Sequence, residues 1–238
     1  MTSEVLLAGS NLTKRFEGVM AVDDISLAIA PRELQCIIGP NGAGKSTLFN
    51  ILGGVIRPDA GDIIFEGVSL SGLPLHGFAR RGIARKFQIP SVFESLTVAQ
   101  NLETAVLRPG LTAEHARRVT AMLNLIGQTS IRDQAAGSLA HGHKQWLEIG
   151  MALMSEPRLL LLDEPTAGMT PDETRETAAL VRRLAQTTAV MAIEHDMSFV
   201  RALGCRTIVM HHGRAIAEGT FAEIEEDALV RDVYLGRA

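Results

Sequence analysis

Three short stretches of this chain carry side chains whose types and order could handle a phosphate group. The first is Gly39-Pro40-Asn41-Gly42-Ala43-Gly44-Lys45-Ser46, which fits the spacing G-x-x-x-x-G-K-[ST]. Its glycines let consecutive backbone N–H groups turn toward one anion, and the helix that follows adds the positive end of its dipole. Lys45 would reach the β- and γ-phosphates, and the Ser46 hydroxyl would ligate Mg²⁺. The second stretch is Asp163-Glu164: Asp163 would hold Mg²⁺ through water, and Glu164 would orient or deprotonate an attacking water. The third is Glu194-His195-Asp196, where the His195 imidazole could donate a hydrogen bond to a γ-phosphate. Each has a plainer reading: a glycine turn with a surface lysine, two acids opening a loop, and a structural histidine at a strand end. Their joint presence favours the chemical one.

The elements around these residues can be read from periodicity and punctuation. Leu34-Gln35-Cys36-Ile37-Ile38 has the length and branching of a buried strand, and Thr47-Leu48-Phe49-Asn50-Ile51-Leu52 reads as a helix closed at Gly53-Gly54. The glycine loop therefore sits between a strand and a helix. Leu159-Leu160-Leu161-Leu162 reads as a central strand buried on both faces, and Ala189-Val190-Met191-Ala192-Ile193 as another. Both deliver polar residues to their carboxyl ends, where open α/β sheets bind ligands. Val5-Leu6-Leu7, the alternation Ile25, Leu27, Ile29, and Gly61 to Gly67 suggest a small antiparallel sheet beside this core, with a turn at Pro31-Arg32-Glu33.

Between about Pro90 and Pro157 the pattern turns helical. Thr97-Val98-Ala99-Gln100 is a capping box, Val119, Met122, Leu123 and Ile126 form one apolar stripe ended by Gly127, and Trp146 to Met154 mark a further helix. After the core resumes, Thr170-Pro171-Asp172-Glu173 is a strong helix start. Thr207 to Met210 and Ala215 to Ala217 form a strand pair around His212-Gly213, with His211 and His212 as turn residues, and Thr220 caps a final helix. Phe16 follows a strand on a turn-like stretch. From position alone an ordinary core or edge phenylalanine is the better reading, with stacking on a base as the alternative.

Composition narrows the class. The 238 residues can bury a sizeable core in one α/β domain with an insertion. The net charge of -4 lacks the basic footprint that a nucleic acid demands. Only two cysteines are present, Cys36 and Cys205, with Cys36 in the buried strand, which points to a reducing, cytoplasmic setting. The mean hydropathy of +0.15 is high, yet no uncharged apolar run approaches the ~18 residues of a membrane span, and the first residues do not read as a signal peptide.

Taken together, the motifs resemble those of the ATP-binding subunits of ABC transporters, over nearly the whole chain. The resemblance runs through Gly39 to Thr47 (Walker A), Phe87-Gln88 (Q-loop), Leu139-Ala140-His141-Gly142-His143 (the place of the signature usually written LSGGQ), Leu159 to Glu164 (Walker B) and His195 (switch histidine). Within the family it is most similar to importers of branched-chain amino acids and urea. The urea branch is favoured by Lys144 to Met151 and by Ala167-Gly168-Met169-Thr170.

The resemblance implies a P-loop NTPase (RecA-like) α/β core with an antiparallel β subdomain and an inserted α-helical subdomain. It divides a single domain, 1–238, into core and β subdomain (1–88 and 159–238) and helical subdomain (89–158). It implies an ATPase using ATP and Mg²⁺, with Ser46, Gln88 and Asp163 on the metal and Glu164, His195 and Gln88 at the reacting phosphate. It further implies head-to-tail pairing with a second ATP-binding subunit, whose Leu139 to His143 segment would complete each site. Permease subunits would dock on the helical insertion at the cytoplasmic face of the inner membrane, with a solute-binding protein acting indirectly. Phe16 falls at the place of the adenine-stacking aromatic, which reverses the reading from position alone.

Four positions depart from the family pattern: Ala140, His141 and His143 in the signature, and Thr170 where an aspartate is usual. Ala140 removes one hydroxyl contact to phosphate, worth ~0.5 to 1.5 kcal/mol. These departures motivate a rival reading, a nucleotide-gated interaction module with weak hydrolysis. A non-transport ABC-type ATPase is a third.

Overall fold

A computed structural model describes residues 5–86, 92–106 and 113–235. The Phe87-Gln88 expectation lies outside them. The strands, in chain order, are β1 (Leu7–Phe16), β2 (Val19–Ile29), β3 (Leu34–Ile38), β4 (Ala60–Phe65), β5 (Val68–Ser69), β6 (Ile83–Lys86), β7 (Leu159–Asp163), β8 (Ala189–Glu194), β9 (Arg206–His211) and β10 (Arg214–Gly219). The helices are α1 (Lys45–Leu52), α2 (Leu75–Arg80), α3 (Val98–Thr104), α4 (Ala113–Leu125), α5 (His141–Leu153), α6 (Pro171–Leu184), α7 (Met197–Leu203), α8 (Phe221–Glu226) and α9 (Ala228–Leu235).

Two sheets form. The first is antiparallel in the order β2-β1-β4-β5; the second runs β10-β9-β3-β8-β7-β6, parallel from β9 to β6 with β10 antiparallel on its edge. The central parallel strands β7 and β8 are buried on both faces, as their apolar runs require. Alternate residues divide two cores. Leu159 and Leu161 of β7 join Ile37, Met191 and Ile193 in packing on α1 and the antiparallel sheet. Leu160 and Leu162 join Cys36, Ile38, Val190 and Ala192 in packing against α5, α6 and α7. Burying one such leucine contributes about 1.5–3 kcal/mol, so β7 is pinned from both sides and the acids at its end inherit a rigid base.

All three capping boxes read in the sequence form, at Thr97, Thr170 and Thr220. The helix that Thr220 opens is not the final one, because α9 follows directly after Asp227. β1 runs on to Phe16, well past the Val5-Leu6-Leu7 expectation, through register shifts against β2 and a left-handed Asn11 that break the alternation a sequence reader follows.

Candidate nucleotide site

The phosphate loop leaves the carboxyl end of β3, between the ends of β8 and β9. Gly44 holds φ +98°, and a Cβ there would stand 2.0 Å from the Ala21 carbonyl oxygen, so glycine is what lets the loop lie against β2. Gly213 N–H donates to the Ala43 carbonyl and fixes the other flank. Helix α1 begins with no side-chain cap and no acid in its first turn, which leaves its amino-terminal donors for an anion. Ser46 is exposed at that start and Thr47 half-buried.

Lys45 is buried, and its ammonium donates to the Gly39 and Pro40 carbonyls at 2.6 and 3.1 Å. Burial lowers its pKa below the ordinary lysine value, while the charges of Glu164, Asp163 and Glu194 oppose that shift. One ammonium, three nearby carboxylates and a ring of loop donors therefore share this end of the sheet.

Asp163 ends β7 and is buried; its Oδ2 accepts from Arg85 at 2.7 Å, and the same guanidinium donates to Asn50 Oδ1 at 2.6 Å. Arg85, on β6, thus ties the end of β7 to α1. Nothing in the sequence marks it, because an arginine in a four-residue strand gains meaning only from its neighbours in space. Glu164 adopts φ +44°, uncommon for a side-chain-bearing residue, and its N–H donates to Ile193 O at 3.0 Å. Its Oε1 lies 3.4 Å from His195 Nδ1, with the imidazole about half exposed. The structure therefore brings Lys45, Asp163, Glu164 and His195 together at the strand ends.

Phe16 is 43% exposed at the end of β1, with Lys14 Nζ 5.5 Å from its ring centroid, so it is no core phenylalanine. The Leu139 to His143 segment starts α5, with Ala140 as an N-cap that offers no side-chain bond. His141 Nε2 lies 2.8 Å from the Ala167 carbonyl and 3.2 Å from the Gln145 amide nitrogen. Gly142 is closely covered, since a Cβ would meet Glu173 Oε1 at 2.4 Å. His143 packs edge-on to Trp146 at 5.3 Å, and Leu139 is buried.

Hydroxyl, carboxylate and phosphate oxygens are the hard donors magnesium prefers. Among the described residues no cluster of three or more His, Cys, Asp or Glu forms a dedicated metal cage. The exposed Ser46 hydroxyl at the start of α1 and the Asp163 carboxylate at the end of β7 are oxygen donors of the kind that suits a cation keeping waters and sharing its shell with a substrate's phosphates. The large cleft of about 960 Å³ between Pro31, Arg158 and Ala189 opens at the amino ends of the strands and holds none of these residues.

A family profile described as ABC transporter matches residues 22–167. The chain belongs to the ABC transporter family. It is an ATP-binding ATPase of that family. It is 36% identical to the high-affinity branched-chain amino acid transport ATP-binding protein BraF of Pseudomonas aeruginosa, over 99% of this chain and 100% of that protein. It is also 36% identical to the lipopolysaccharide export system ATP-binding protein LptB of Escherichia coli, over 97% of each. Among solved structures, the ADP conformation of an ATP-binding cassette of an ABC transporter superposes with a TM-score of 0.87 at 28% identity, covering 98% of this chain and 99% of that one. The expected α/β fold of an ABC ATPase is the observed one. Among the described residues no helix is long and apolar enough to cross a membrane.

Proposed function

We propose that this ABC ATPase hydrolyses ATP at the Lys45, Asp163, Glu164 and His195 cluster to drive an importer of urea or of branched-chain and other hydrophobic amino acids. The observation that carries the site assignment is the convergence at the strand ends: the Lys45 ammonium lies in the field of both Asp163 and Glu164, and Glu164 touches His195. The loop N–H groups from Asn41 to Thr47 and the start of α1 bind the phosphates. Binding draws Lys45 from its own loop carbonyls to the phosphate oxygens, which exchanges neutral acceptors for anionic ones. Phe16 stacks on the adenine.

Ser46, Gln88 and Asp163 would hold Mg²⁺, and the ion would supply positive charge to offset that of the phosphates. Glu164, whose positive φ turns the backbone at the end of β7 and whose carboxylate meets His195, orients the attacking water and takes its proton. His195, held by Glu164 through Nδ1, presents its other nitrogen to the γ-phosphate. The uncapped start of α5, Leu139 to His143, serves the nucleotide of a second ATP-binding subunit. The stretch 89–158 is the helical subdomain on which a permease docks, the rest being core and β subdomain, and the working place is the cytoplasmic face of the inner membrane.

Support for the import reading is the full-length similarity to branched-chain amino acid ATP-binding proteins. Urea stays within the proposal on the sequence of Lys144 to Met151 and Ala167 to Thr170. The equal identity to an export-system protein supports a second reading, an exporter subunit. Reconstitution with the permease subunits that co-purify with this chain decides between them. ATP-dependent accumulation of leucine or urea inside vesicles is expected, and outward movement of a lipid-linked substrate instead would replace the first reading with the second.

A further inference from the structure

Glu194 closes β8, is fully buried, and was passed over in the sequence as the residue before a histidine. Its carboxylate is shared between two loops. Oε1 accepts from the Thr166 backbone N–H at 3.0 Å and from the Thr166 hydroxyl at 2.7 Å. Oε2 accepts from the His195 backbone N–H at 3.1 Å and lies 3.9 Å from His195 Nδ1. One side chain therefore grips the segment two residues beyond Glu164 and the residue that carries the candidate imidazole. The grip closes into a ring, because Ala167 N–H donates to the Glu164 carbonyl and Glu164 Oε1 meets His195 Nδ1.

Stability alone does not account for a carboxylate in this place. Every other residue of β8 is apolar and buried. Burying a charge costs several kcal/mol even after relaxation, and a packed apolar side chain of similar volume is often neutral or better. Burial raises the Glu194 carboxyl above the usual glutamate range, against the pull of the bonds from Thr166, His195 N–H and Asp196 N–H. What the charge gains is two fixed loops.

We infer that Glu194 is a positioning residue for ATP hydrolysis: by clamping Thr166 and the His195 backbone on one carboxylate, it sets the Glu164 to His195 geometry. The inference rests on the proposed roles of Glu164 and His195. A misplacement of about 1 Å in such a pair can cost on the order of 10²-fold in rate.

The test uses the full chain, with ATP turnover, KM, nucleotide affinity and thermal midpoint measured for each variant. In Glu194→Gln the amide oxygen still serves Thr166, but an NH₂ faces the His195 N–H. The expected result is a loss in kcat of about tenfold or more with KM and nucleotide affinity within about twofold, and a shift of the His195 imidazole resonances. Thr166→Val removes only the hydroxyl bond and is expected to lower kcat about threefold, while Thr166→Ser keeps both donors and stays near wild type. If Glu194→Gln does not fold, the valine and serine pair decides. Turnover within twofold of wild type in Glu194→Gln and Thr166→Val, or losses that merely track the thermal midpoint, overturn the inference. Glu164→Gln and His195→Ala run alongside: if both hydrolyse normally the site assignment fails and the inference with it, whereas if both are dead and Glu194→Gln is active only the inference fails.

Discussion

Substituting alanine at Gly42 and at Gly44 separates two costs that the phosphate loop combines. Both glycines have positive φ, +81° and +98°, so an alanine at either meets a similar backbone penalty of about 1–2 kcal/mol. Their surroundings differ. A Cβ at Gly42 has no heavy atom within 4 Å, whereas one at Gly44 falls 2.0 Å from the Ala21 carbonyl oxygen. Real Cβ contacts essentially never fall below 3.0 Å, so the loop must move off β2 by about 1 Å or more. Gly44→Ala therefore shifts the anion-binding donors themselves, and displacements of that size cost on the order of 10²-fold where geometry decides. Differential scanning fluorimetry is expected to show a drop of about 2–4 °C per kcal/mol of destabilisation, larger for Gly44→Ala. Titration with a fluorescent ATP analogue is expected to show a severe loss of affinity in Gly44→Ala and a mild one in Gly42→Ala. Equal losses in both would refute the reasoning, because they would mean that the close approach to β2 does not set the loop.

Thr170→Ala removes the hydroxyl half of the capping box and leaves the bond from the residue-170 backbone N–H to Glu173, so it should cost about 1 kcal/mol and lower the thermal midpoint by a few degrees without changing nucleotide affinity. That cap also has a pH signature. The hydrogen bonds from the Thr170 backbone and hydroxyl hold Glu173 below the usual glutamate range, so its contribution is present above the ordinary glutamate pKa and is lost as pH falls through the lowered value. The stability gap between wild type and Thr170→Ala is therefore expected to narrow in acid, as denaturant titrations at neutral and acid pH would show. Lys45 works in the opposite range: its folded pKa lies below the ordinary lysine value, so stability without nucleotide rises as pH climbs through the window between the two. Nucleotide binding favours the charged ammonium, so affinity for ATP should fall across that same alkaline window, and Lys45→Arg, charged throughout, should remove the pH dependence.

The parts of this molecule that the sequence made legible are those fixed by local rules. The glycine loop, the four leucines of β7 and the three threonine caps each state their geometry within a few residues, and each forms as read. The parts that stayed hidden depend on partners far along the chain. β6 holds Arg85 and Lys86 in four residues and looks like surface, yet Arg85 reaches Asp163 across 78 positions and Lys86 pairs with Glu148 of α5 at 3.7 Å, all four side chains nearly buried. Glu194 was overshadowed by the histidine beside it, since a carboxylate at a strand end looks exposed until Thr166 closes over it. For Phe16, position alone favoured core packing, the family resemblance reversed that expectation, and its exposure rules out the core role.

The central claim is that Glu164 acts on the attacking water of ATP hydrolysis at a site built by Lys45, Asp163 and His195. The most direct measurement is ATP turnover by the assembled transporter carrying Glu164→Gln, with nucleotide binding measured in parallel. The account predicts turnover lowered by about 10²-fold or more, with binding retained, in line with the loss of a general base. A Glu164→Gln transporter that binds and hydrolyses ATP at the wild-type rate would contradict it.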